Sequence, residues 1–146
     1  MHPSNIAEEF DSIQVGFHYA EAVYAPLYYG YGEPGSFADR RRRAREWDKV
    51  LVLVLVEVAP ETVLVLLTAS TEVICERMRV SLRPDHIPRE DDVEMVVRLF
   101  QDQYDESELS RKLEIHTSGV TVEESVAEFS RKIEPFITQK DRQRRG

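Results

Sequence analysis

Cysteine is nearly absent from this sequence: Cys75 is the only one among 146 residues. That excludes an intramolecular disulfide and a zinc site built from cysteines, and the expected setting is reducing and cytoplasmic. Long apolar runs are also lacking. The longest, residues 50–58, has nine residues and contains Glu57, about half of the ~18 that a membrane span needs. Residues 1–16 hold neither a cation nor an apolar stretch of secretory-signal length. Lys and Arg are missing altogether from residues 1–39. Over the chain, 19 Lys and Arg face 27 Asp and Glu, a formal charge of −8. This argues against general nucleic-acid binding, which needs excess positive charge against phosphates. His2, His18, His86 and His116 are scattered with no pair at helix-face metal spacing, so no metal site is assigned. Neither a Ser-His-Asp nor a Cys-His signature is legible, and there is no tandem repeat.

What is present is a globular composition, 42% apolar and 32% charged, in a length that fits one domain of roughly 100–200 residues. The charge comes in blocks. Residues 40–43 are all arginine, with Arg45 and Lys49 beyond. Residues 90–108 hold eight acids and only Arg98, and the tail from Asp141 is basic. Such blocks are usually solvated helix faces. The run at Arg40 to Arg45 can meet phosphate, but a solvated helix start is the plainer reading. Cations are slightly unfavourable at a helix N-terminus, so the run is expected to precede its helix.

Ile6, Phe10, Ile13, Phe17 and Tyr24, with Ala20 between, form the apolar stripe of a helix over residues 4–25. Ser4 caps it, Gly16 weakens its middle, and Pro26 is expected to stop it. Residues 27–35, with three glycines and a proline, read as a loop. Ser36 and Asp39 suit a helix N-terminus, and Trp47, Val50, Leu51, Val54, Leu55 and Val58 make a helical stripe. The Val/Leu alternation equally suits a buried strand. A helix over residues 37–58 is expected, with the strand left open. Residues 62–68 form a continuous apolar run, the signature of a strand buried on both faces. Ser70 caps a following helix whose Val73, Ile74 and Met78 face inward. Residues 81–88, with two prolines, are a loop. A helix over 90–108 carries the stripe Val93, Val96, Val97, Phe100 and Tyr104. Residues 113–116 alternate as a second strand. Thr121 and Glu124 form a capping box for a last helix with Val122, Val126, Phe129 and Ile133. This order predicts an α/β layered fold with a short parallel sheet flanked by helices.

The stretch 62–79, a hydrophobic strand followed by Ala69-Ser70-Thr71-Glu72-Val73-Ile74 and Arg77-Met78-Arg79, resembles the fourth strand and next helix of P-loop nucleoside and nucleotide kinases, the thymidylate-kinase-like members most of all. Thr71 stands where that family has proline. Leu113 to Ser118 is similar to the family's last strand and its Asp-Thr-Ser ending, with His116 in place of Asp, and Thr121 to Val126 to its final helix start. The resemblance covers residues 60–138 and reaches more weakly into 4–32. It implies part of a three-layer P-loop-kinase-like fold and ancestry in ATP-dependent phosphotransfer to a nucleoside, nucleotide or similar small hydroxyl compound. ATP and Mg²⁺ are implied by the resemblance alone.

The departure is the phosphate loop. The Gly-x-x-x-x-Gly-Lys-Ser/Thr that cradles phosphates is absent; Gly30 and Gly35 have the spacing, but Ser36-Phe37 follows. The resemblance therefore implies the C-terminal part of such a kinase, a single incomplete domain over 1–146 (1–36, 37–58 and 62–138). It also implies that this chain alone is inactive and does not bind ATP tightly. The alternative is a non-catalytic remnant or interaction module that pairs with itself or a partner. No catalytic residue is identifiable. The resemblance implies a lid at 81–88 whose Arg77, Arg79, Arg83 and Arg89 contact phosphate; the plain alternative pairs them with Glu76 and residues 90–92. It implies backbone contact of Thr117, Ser118 and Gly119 with adenine, against a plain strand-to-helix turn. Phe17, Tyr19, Tyr24 and Tyr28, among aromatics that include His18, Tyr29 and Tyr31, can stack a ring substrate or simply pack. Cys75 reads as a buried structural thiol. No membrane or nucleic-acid partner is expected, the small-molecule substrate is unspecified, and an unpaired edge at residues 62–68 predicts a homo-oligomer.

Overall fold

The structure, a computed structural model, describes residues 13, 15–49, 62–81 and 88–144. Among them are six α-helices and two strands. The strands pair in parallel, with the sheet order β1-β2. This is a mixed helix–strand architecture, compatible with α/β. The chain gathers into two compact units. The first is Met1–Pro60 with Arg98–Leu109; the second is Glu61–Val97 with Ser110–Gly146.

In the first unit, α1 spans Phe17–Tyr24. The expected helix from residue 4 lies largely outside the described residues, and where it is described it is corrected. Gly16 has φ 77° and interrupts the helical path, and Ile13 is exposed rather than part of a buried stripe. Pro26 does not stop the helix either. The chain continues through a π-helical turn, Ala25–Tyr29, with Pro26 in its first turn. Proline has no N–H to give an α-helical bond to the preceding turn, and the helical path widens there from α to π. The turn ends at Gly30, whose φ of 67° suits the residue without a Cβ. The loop therefore starts at Gly30, not at Leu27.

Helix α2 spans Arg40–Lys49. Asp39 is its N-cap: Arg42 N donates to Asp39 Oδ1 at 2.9 Å and Gly35 N to Oδ2 at 2.7 Å. These two backbone donors, Arg42 first, hold the Asp39 carboxyl below the usual carboxylate range. The arginine run does not precede the helix as expected; it forms the first turn. The anionic cap offsets the unfavourable cation placement, and acids meet the side chains: Arg41 and Arg45 pair with Glu106, and Arg40 lies 3.5 Å from Glu21. The rest of the 37–58 expectation, including its strand alternative, lies outside the described residues.

The second unit holds β1, Leu64–Thr68, and β2, Lys112–His116, in the register Val65↔Leu113 and Leu67↔Ile115. The two runs are adjacent and parallel, as the apolar patterns predict. Burial on both faces is corrected: Leu113 and Ile115 are buried, but Leu67 is 68% exposed, since β2 is its sole strand neighbour among the described residues. Helix α3, Thr71–Ser81, starts on Ser70, whose Oγ accepts from Val73 N at 3.3 Å. A 3₁₀ turn, Glu90–Asp92, leads into α4, Val93–Glu106. Val93 and Val96 are buried in this unit, and residues 98–106 of the helix belong to the first unit. Helix α5, Val122–Ile133, starts on Thr121, whose Oγ1 accepts from Glu124 N at 3.1 Å. Its apolar stripe is not a core face: Val122, Val126 and Phe129 are all exposed. A 3₁₀ turn, Glu134–Phe136, and α6, Gln139–Arg144, follow.

Candidate functional site

Two groups of side chains concentrate the chemistry, one in each unit. In the second unit it is the carboxyl end of the parallel strands, where ligands of open α/β sheets bind. Thr117 follows β2 directly. Its N and Oγ1 donate to Thr68 O at 2.8 and 3.1 Å, tying the ends of the two strands together. Ser118 Oγ accepts from Ser70 N at 2.7 Å, which fixes the start of α3. Gly119 then turns the chain with φ 68°. From α3, Arg77 reaches back with both terminal nitrogens: Nη1 donates to Thr117 Oγ1 at 2.9 Å and Nη2 to Thr117 O at 2.8 Å. One residue read as a phosphate contact thus meets one read as an adenine contact, 40 positions apart.

Arg79 pairs with Glu90, the plain pairing expected from sequence. Arg83 lies outside the described residues, and Arg89 is the N-cap of the 3₁₀ turn. Cys75 is buried, with Sγ 3.8 Å from Glu90 O.

In the first unit, a buried polar network surrounds Asp48, which is 1% exposed. The Tyr19 hydroxyl donates to Asp48 Oδ1 at 2.5 Å, and His18 Nε2 lies 2.9 Å from the same oxygen. Glu108 N donates to Oδ2 at 3.3 Å. Ser107 Oγ lies 3.0 Å from the Tyr19 hydroxyl and accepts from Leu109 N at 3.3 Å. Burial pushes the Asp48 carboxyl up, but hydrogen bonds from His18, Ser107 and Tyr19 outweigh it and hold the group below the usual carboxylate range. The Tyr19 phenol is pushed far up, by burial first and by the hydrogen bond to Asp48 second. The result is a buried carboxylate with a neutral phenol against it. Three segments far apart in sequence meet there: α1, the end of α2 and the turn after α4.

No protein-family model, curated protein or solved structure matches this chain. Its own geometry is what bears on function. Tyr19 is a buried structural ring with its hydroxyl engaged, so it presents no face to a substrate. Tyr24 packs edge-on against Phe100 at 5.5 Å and lies 6.2 Å from Tyr28. Phe17 opens α1, and its side chain lies outside what is described. Among the described ones, Tyr19 and Tyr24 pack within the unit.

The sequence reading named His18 and Tyr19 but missed Asp48, the acceptor they share. One signal was available: Asp48 lies four residues after Ala44 on the buried side of α2, an acid where the helical period calls for an apolar residue. Among the described residues no group of three His, Cys, Asp or Glu side chains stands close enough to hold a metal ion. Arg77 and Arg79 are engaged by Thr117 and Glu90. No helix among the described residues is long and apolar enough to cross a membrane.

Proposed function

We propose that the chain is kin to P-loop nucleoside and nucleotide kinases, with an ancestry in ATP-dependent phosphotransfer to a nucleoside, nucleotide or similar small hydroxyl compound. By itself it holds the base-binding edge of such a protein without the phosphate grip. One observation supports this most: Thr117 and Ser118 clasp Thr68 and Ser70 at the carboxyl ends of two parallel strands, and Arg77 is fastened to the same turn. That turn sits where open α/β sheets present backbone groups to a ligand. The sequence has no glycine-rich loop with lysine to supply amide donors and a cation to phosphates. Adenosine and ATP are therefore held about equally and weakly on this reading.

The test is an NMR titration of the chain with adenosine and separately with ATP and Mg²⁺. The expected result is millimolar binding of both, with shifts centred on the amides of Thr117, Ser118 and Gly119. Micromolar ATP affinity, or saturation with no shift at those amides, overturns it.

A further inference from the structure

We draw no further inference here: the strongest candidate, the exposed apolar stripe of α5 at Val122, Val126 and Phe129, carries none, since nothing among the described residues shows what covers it.

Discussion

In the first unit a deeply buried side chain is an acid; in the second the deepest are Ile115 and Val93. The first unit holds its helices by long-range side-chain hydrogen bonds converging on Asp48, supplemented by Glu106 between Arg41 and Arg45. The second holds its strands by a parallel backbone ladder and its helix starts by Ser70 and Thr121. Helices without a sheet have no ladder to set their mutual register, so directional polar contacts do it, at the cost of desolvating a carboxylate. The sheet unit gets its register from the backbone and can leave Leu67 and the α5 stripe in solvent.

Removing the acid breaks this contrast most severely. Asp48→Ala leaves the Tyr19 hydroxyl, His18 and the Glu108 amide without their acceptor and should cost about 3 kcal/mol or more, read as the drop in denaturation midpoint. Tyr19→Phe keeps the ring and removes one buried hydrogen bond, for about 1–2 kcal/mol. The pH profile sharpens the same point. Asp48 is held below its unfolded value, so its contribution is complete above about pH 4 and lost as pH falls through the folded pKa. Tyr19 is raised, so its contribution is complete below about pH 10 and lost above that. The melting temperature should be level between these limits and fall at both ends, with the acid slope reduced in Asp48→Asn and the alkaline slope in Tyr19→Phe.

In the second unit, Ser70→Ala and Thr121→Ala should each cost about 1 kcal/mol, the usual value of an N-cap. The smallest effect belongs to Arg79→Ala. Its pair with Glu90 is solvent-exposed, and exposed pairs are screened and entropically expensive, so no change in midpoint is expected.

The second unit was the more legible in sequence because its determinants are local. The apolar runs at 62–68 and 113–116, Ser70 three residues before Val73, and Thr121 three before Glu124 carry their own geometry. What escaped was long-range. Asp48 meets His18 across 30 positions, and Tyr19 meets Ser107 across 88; no periodicity within one helix encodes a partner on another. The turn at Pro26 escaped because proline was read as a stop, where the chain uses it as the opening of a wider helical turn. The α5 stripe was legible as a pattern, but whether such a stripe faces a core depends on what packs against it, and here Lys132 and Glu114 take the inner side. Of the candidate site residues, Thr117 and Arg77 come together, and Tyr24 packs against Phe100 and Tyr28.

Amide hydrogen exchange of Asp48→Asn against the unaltered chain tests most directly whether a buried carboxylate, rather than apolar burial, holds the first unit. The account predicts faster exchange throughout α1, α2 and residues 98–109, with the β1 and β2 amides of residues 64–68 and 112–116 as protected as before. Uniform loss of protection in both units, or no loss in α1 and α2, contradicts it.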